Sequence, residues 1–168
     1  MPLTLTLTPS LRLTRSAAAL SVAAAALLAA ASSSAQSPVP KTAPDFLASA
    51  AAAKGAVLSE SGLVYLSLKE GQGPSPAAVD TVRVHYRGTL TDGKEFDSSY
   101  TRGQPATFPL NRVIKCWTEG VQKMKVGGKA RLTCPASIAY GERGTPGGPI
   151  PPNAVLQFEV ELMGIVKP

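Results

Sequence analysis

TVRVHY, Thr81 to Tyr86, alternates without interruption: Val82, Val84 and Tyr86 fall on one side, and Thr81, Arg83 and His85 on the other. A period of two with one apolar and one polar set describes a strand of an antiparallel sheet, buried on one face and wet on the other. The TDG of Thr91 to Gly93 then supplies hairpin-turn chemistry ahead of KEFDSS. ATFPL, Ala106 to Leu110, reads as a further short strand, which Pro109 confines to an edge or a strand end. Beyond it the period changes. Trp117, Val121 and Met124 lie at i, i+4 and i+7 of CWTEGVQKMKVGG, predicting an amphipathic helix closed by Gly127 and Gly128. The period of two returns in KARLTC, with Ala130, Leu132 and Cys134 inward. AVLQFEVELMGI repeats it, with Leu156, Phe158, Val160 and Leu162 on one face.

Working back toward the N-terminus, LVYLSLKEG is a strand followed by the turn-rich EGQGPSPAAVD. DFLASAAAAKG, Asp45 to Gly55, is a short helix with Asp45 near its start and Gly55 as its stop. The sum is an α+β domain of several antiparallel strands and one central helix, which must pack on the apolar face of the sheet. No internal repeat interrupts it.

The first 35 residues belong to a different class. Met1 to Arg15 carries Arg12 and Arg15 without an acid, Ser16 to Ala31 is an alanine-rich apolar run, and SSSAQS follows. This is the pattern of a secretory signal peptide, with cleavage expected after Ala35 and Ser33 and Ala35 as the small residues. The alternative is a membrane anchor, but the apolar run falls short of the ~20 residues that span a bilayer. The expected organisation is 1–35 signal peptide, 36–60 linker and short helix, and 61–168 a single folded domain.

Charge and cysteine content narrow the function. Without residues 1–35 the formal charge falls from +6 to +4, since Arg12 and Arg15 leave and none of the 11 acidic residues does. KMKVGGKAR, Lys123 to Arg131, alternates bases with apolar residues and lacks the interleaved aromatics of a nucleic-acid platform, so no nucleic-acid partner is expected. Cys116 and Cys134, in a chain bound for an oxidising compartment, are expected to form a disulfide; the alternative is two unpaired core residues. His85 is the only histidine and sits mid-strand, which excludes a histidine-rich metal site; no metal and no cofactor are expected. No phosphate-cradling glycine motif precedes a helix.

What remains is a set of aromatic and aliphatic residues at strand ends and loops: Tyr86, Phe96, Phe108, Val113, Ile114, Trp117, Tyr140, Ile150 and Phe158. With Asp97, Arg102 and Tyr140 adding a few polar groups, they suit an apolar cleft for a small molecule or peptide. Beside Tyr140 runs AYGERGTPGGPIPP, four prolines and four glycines that specify an irregular loop, either a surface connector or part of a site.

VRVHYRGTLTDGKEFDSS, VIKCWTEGVQKMKVGGKARLTCP, AYGERG and IPPNAVLQFEVELMGI together resemble the FKBP-type peptidyl-prolyl cis–trans isomerases from about Ser61 onward. The SESGLVYLSLKEGQG lead-in and the CW…CP pair are most similar to the bacterial exported branch related to the macrophage infectivity potentiators. The resemblance implies a twisted antiparallel sheet wrapped around one short helix. It also implies isomerisation of X-Pro bonds in exported, periplasmic polypeptides, the alternative being a chaperone that binds proline segments in the same groove with little turnover. It places Asp97, Tyr140, Phe96 and Trp117 in the catalytic part of the pocket. Tyr86, Phe108, Val113, Ile114 and Phe158 form its walls, Ile150 lies in an overhanging loop, and Arg102 pairs with Asp97 behind it. Tacrolimus and rapamycin become candidate ligands. Three departures concern the rim: Ala106 stands where an aromatic often lies, Thr145 where a histidine often lies, and GTPGGPIPP is about one residue longer. Members of the branch often carry an N-terminal helical dimerisation domain, for which only Asp45 to Gly55 stands here, so a monomer without a stable membrane anchor is expected.

Overall fold

A computed structural model describes residues 42–166; the segment read as a signal peptide lies outside the described residues. Seven strands form one antiparallel sheet: β1 (Ala56–Leu58), β2 (Val64–Lys69), β3 (Thr81–Leu90), β4 (Glu95–Ser98), β5 (Ala106–Pro109), β6 (Lys129–Cys134) and β7 (Leu156–Val166). Their order is β1-β2-β6-β7-β3-β4, and β5 also pairs with β3. β3 is the hub. Along one side it pairs with β7 from Thr81↔Val166 to Leu90↔Leu156; along the other it meets β5 at residues 81–84 and β4 at residues 87–89. Two short strands therefore share one edge, and the chain leaves the sheet between them.

The alternation read in the sequence sets which side is dry. Val82, Val84 and Tyr86 of β3, Ala130, Leu132 and Cys134 of β6, and Leu156, Phe158, Val160 and Leu162 of β7 are all buried. Helix α2 (Lys115–Gln122) lies against this face through Cys116, Trp117, Gly120 and Val121. Its close approach requires Gly120: a Cβ there would stand 2.7 Å from Leu132 Cδ2. The helix stops at Gln122, earlier than Gly127 and Gly128 suggested. The Gly127 N–H instead donates to the Leu162 carbonyl of β7 at 2.7 Å, a tie to the sheet that a continuing helix would forfeit.

Helix α1 (Ala43–Ala51) begins two residues before the expected Asp45. Thr42 caps it, its Oγ1 accepting from the Asp45 N–H at 3.4 Å, and Pro44 occupies the first turn. It ends at Ala51, and Gly55, at φ +83°, belongs to the turn into β1. β1 leaves no signature in the sequence: three residues with Val57 and Leu58 54% and 62% exposed carry no period. Phe46 and Ala50 of α1 face Val64 and Thr133 across a small cavity on the opposite side of the sheet from α2.

Cys116 and Cys134 are disulfide-bonded, with Cα atoms 5.8 Å apart. The bond joins the first turn of α2 to the end of β6 and so anchors the residue next to it, Trp117, to the sheet. No helix among the described residues is long and apolar enough to cross a membrane.

Candidate functional site

Between the start of α2 and the β3–β4–β7 end of the sheet lies a cavity of about 520 Å³, lined by Tyr86, Phe96, Asp97, Phe108, Arg112, Val113, Ile114, Trp117, Tyr140 and Phe158. Nine of these ten were singled out in the sequence. They are placed there by several distinct structural features. Tyr86 and Phe158 are inward positions of paired strands, Phe96 and Phe108 sit on the two short edge strands, and Trp117 is in the first turn of α2. Val113 and Ile114 form the connection into that turn.

The floor is an edge-to-face cluster. Trp117 packs on Tyr86, Phe108 and Phe158 with ring centroids 5.2, 5.6 and 5.5 Å away, at interplanar angles of 87–88°. Phe96 meets Phe158 in the same manner at 5.6 Å. Such T-shaped contacts place positive ring edges against negative faces and hold the rings in fixed orientations. Gly88 makes room for them, since a Cβ there would stand 2.6 Å from Phe96 Cζ and 3.0 Å from Phe158 Cε1. The Trp117 Nε1–H is buried and makes no hydrogen bond among the described residues.

One wall is polar but spoken for. The Tyr86 hydroxyl donates to Asp97 Oδ2, Arg102 donates to Asp97 Oδ1 at 2.5 Å, and Arg102 also donates to the Tyr86 hydroxyl at 2.8 Å. Burial works against the Asp97 carboxylate, but the hydrogen bonds from Tyr86 and Arg102 outweigh it and hold its pKa below the ordinary value. Burial, and then the bond to Asp97, raise the Tyr86 phenol. Arg102 reaches Asp97 from the excursion between β4 and β5 and does not line the cavity. Tyr140 differs from Tyr86: its side chain is 41% exposed, and its hydroxyl has no hydrogen-bond partner among the described residues. Burial, then the charge of Asp97, raise its pKa as well.

The proline- and glycine-rich loop closes on itself. The Thr145 N–H donates to the Ile150 carbonyl at 2.9 Å, the Ile150 N–H donates to Thr145 Oγ1 at 3.0 Å, and the Gly148 N–H donates to the Thr145 carbonyl at 2.7 Å. Ile150 is buried in the core cluster and does not line the cavity; of this stretch only Tyr140, at the loop's base, does. Arg112 is the wall residue that sequence reasoning missed. Its only signal was adjacency to Val113 and Ile114. His85 lies away from the cavity, its Nδ1 2.9 Å from Ser99 Oγ and its ring stacked on Tyr100. Among the described residues no cluster of His, Cys, Asp or Glu could hold a metal ion.

Comparison with known proteins agrees with this geometry. The family model for FKBP-type peptidyl-prolyl cis-trans isomerases matches residues 73–163. The chain is 56% identical over 128 residues to the FKBP-type peptidyl-prolyl cis-trans isomerase FkpA of Aeromonas hydrophila, a match covering 76% of this chain and 47% of that protein. It is 51% identical over 106 residues to the peptidyl-prolyl cis-trans isomerase Mip of Coxiella burnetii, covering 63% and 46%. The crystal structure of FkpA from Escherichia coli superposes with a TM-score of 0.70 at 49% identity, over 73% of this chain and 56% of that one. A peptidyl-prolyl cis-trans isomerase from Pseudomonas syringae pv. tomato superposes with a TM-score of 0.68 at 40% identity, over 73% and 89%. The chain spans about half the length of the curated relatives it matches. From the aromatic floor, the sheet order and these matches together, the chain belongs to the FKBP-type peptidyl-prolyl cis-trans isomerase family.

Proposed function

We propose that this chain isomerises X-Pro peptide bonds of exported polypeptides in the periplasm, using the cavity floored by Trp117. The carrying observation is a cavity floored and walled by aromatic rings whose one carboxylate is already engaged by Tyr86 and Arg102. The barrier to rotation is ~18–20 kcal/mol because resonance gives the C–N bond double-bond character. Resonance also polarises the carbonyl, and water stabilises that polar ground state. Moving the amide into an apolar cavity removes this stabilisation from the planar form more than from the twisted one, so rotation accelerates without nucleophile or proton transfer. The proline ring rests on Trp117 between Phe96, Phe108 and Phe158, and the uncommitted Tyr140 hydroxyl donates to a substrate carbonyl. Engagement of both Asp97 oxygens supports a role in holding Tyr86 and the wall. Uncatalysed X-Pro isomerisation takes tens of seconds at 25 °C, slow enough to limit folding, so a folding assistant is the fitting use.

We also propose that residues 1–35 are removed on export and that residues 36–60 precede a catalytic domain of residues 61–168. The Cys116–Cys134 bond supports an oxidising compartment. The mature chain acts as a monomer, supported by α1 being nine residues long and packing on its own β1 and β2. The aromatic cavity is also proposed to take tacrolimus and rapamycin, with Ala106 and Thr145 weakening the rim.

A fluorescence or protease-coupled isomerisation assay on a short X-Pro peptide tests the main reading, because binding alone leaves the relaxation rate unchanged. Asp97→Leu is expected to lower kcat/KM at least severalfold. Tyr140→Phe is expected to lower it by about 2- to 13-fold, the scale of one hydrogen bond of ~0.5–1.5 kcal/mol. Wild-type rates in both folded variants would reject these roles.

A further inference from the structure

The cavity has one charge that nothing answers. Asp97 is paired with Arg102, so that wall carries no net charge outward. Arg112 is exposed and makes no ion pair or hydrogen bond among the described residues, yet it lines the cavity. Between Asp97 and Glu119 the chain has no acidic residue, and Glu119 is engaged by Ser61 and Lys123. Lys115, also exposed, follows three positions later, so the lining pair Val113–Ile114 is bracketed by two cations. Near Tyr140, Glu142 and Arg143 are adjacent, both exposed and opposite in sign.

The cation is also held in place. Arg112 ends a short 3-10 turn, Leu110–Arg112, that is tied at two points: the Leu110 N–H donates to the Asp80 carbonyl at 2.9 Å, and Thr118 Oγ1 of α2 donates to the Leu110 carbonyl at 2.6 Å. Leu110 itself is fully buried. The backbone beneath the guanidinium is thus tied to the residue that precedes β3 and to α2, and the side chain is left to meet a ligand.

We propose that Arg112 makes this site favour prolines that have an acidic side chain close by in the polypeptide, and disfavour those flanked by lysine. The inference rests on the isomerase reading and adds the charge class of the substrate to it. An extended peptide advances about 3.3 Å per residue, so a side chain one or two positions from a proline seated on Trp117 comes within reach of an arginine on the wall. Arginine suits the purpose, because its planar fork takes a carboxylate in a bidentate pair.

The test uses the intact protein and matched X-Pro peptides carrying Glu, Gln or Lys, in one set before the X-Pro pair and in another directly after it. In at least one set, wild-type kcat/KM is expected to follow Glu > Gln > Lys, with Glu over Gln by about 1.5- to 5-fold, the range of an exposed ion pair. Arg112→Gln should bring that ratio to about one, and Arg112→Glu should invert the order. Raising salt from about 50 to about 500 mM should shrink the wild-type preference, since the screening length falls with ionic strength. Circular dichroism verifies that both variants are folded. Turnover without charge preference, or a preference equal in wild type and variants, overturns this proposal alone. No turnover of the Gln peptides by the wild-type protein overturns the isomerase reading and this proposal with it.

Discussion

Gly88→Ala perturbs the cavity through a single methyl group whose position is known. Gly88 sits in β3 opposite Asp97 of β4 on one side and Phe158 of β7 on the other. The added Cβ would lie 2.6 Å from Phe96 Cζ, 2.8 Å from Phe96 Cε2 and 3.0 Å from Phe158 Cε1. Carbon atoms in contact settle at about 3.5–4.0 Å, so the Phe96 ring must move by about 1 Å. It cannot move toward Phe158, against which it packs edge-on, and it borders the cavity on another side. The ring therefore enters the space that the proline ring needs. Displacements of ~1 Å in a positioned site cost on the order of 10²-fold, so kcat/KM on an X-Pro peptide should fall by about 10- to 100-fold. Stability should change less. Overpacking costs about 1–3 kcal/mol, and replacing a strand glycine by alanine returns roughly 0.5–1 kcal/mol of it. An isomerisation assay paired with a thermal melt reads both quantities. Wild-type kcat/KM in a variant with an unchanged melt would refute the reasoning, because Phe96 would then not be wedged between β3 and the substrate.

Reducing the Cys116–Cys134 bond, which spans 18 positions, should cost about 3 kcal/mol in the chain-entropy account. At a urea dependence of about 1–3 kcal/mol/M this lowers the midpoint by roughly 1–3 M, and equal midpoints with and without reductant would contradict it. Because Asp97 titrates below its ordinary value and Tyr86 and Tyr140 above theirs, kcat/KM should be flat from about pH 5 to 8. The stabilisation from Asp97 is complete above its unfolded pKa of ~3.9 and disappears as pH falls through the lower folded value, so Asp97→Asn should remove that acid-induced loss in urea titrations across pH. Calorimetry should detect tacrolimus at micromolar concentrations; no heat at that level would reject ligand similarity at the rim. Mass spectrometry of protein from the cell envelope should find a chain starting at Gln36, and an intact Met1 would reject processing.

The sheet was legible wherever one face is dry and the other wet. Val82, Val84 and Tyr86, or Leu156 to Leu162, betray their strands because burial and side-chain period coincide. β1 lacks that coincidence: it is too short to show a period, and β2 rather than a buried face defines it. The end of α2 at Gln122 departs from its sequence pattern for a related reason. Gly127 and Gly128 resemble a helix stop, but a hydrogen bond to Leu162, 35 positions away, assigns them to a turn against the sheet. Of the cavity, the aromatic lining could be named in advance because large apolar rings at strand ends have few other uses. Arg112 could not, since an exposed arginine in a loop looks like any other surface charge until the fold shows what lies beside it. Ile150 is the converse case: placed by resemblance in an overhanging loop, it is buried in the core cluster, and Thr145 takes both of its backbone polar groups.

That staple has a consequence for how the protein can diversify. Residues 145–150 satisfy one another through Thr145, so the segment behaves as a cassette whose interior places few demands on the sheet. Gly147 sits at φ +72° and a Cβ at Gly148 would stand 2.6 Å from Thr145 Oγ1, so exchanges of Pro146 and Pro149 that keep these two glycines leave both anchors in place. The exposed face of this loop can thus vary at its prolines, while the aromatic floor of the cavity, to which residues 145–150 contribute no lining, stays as it is.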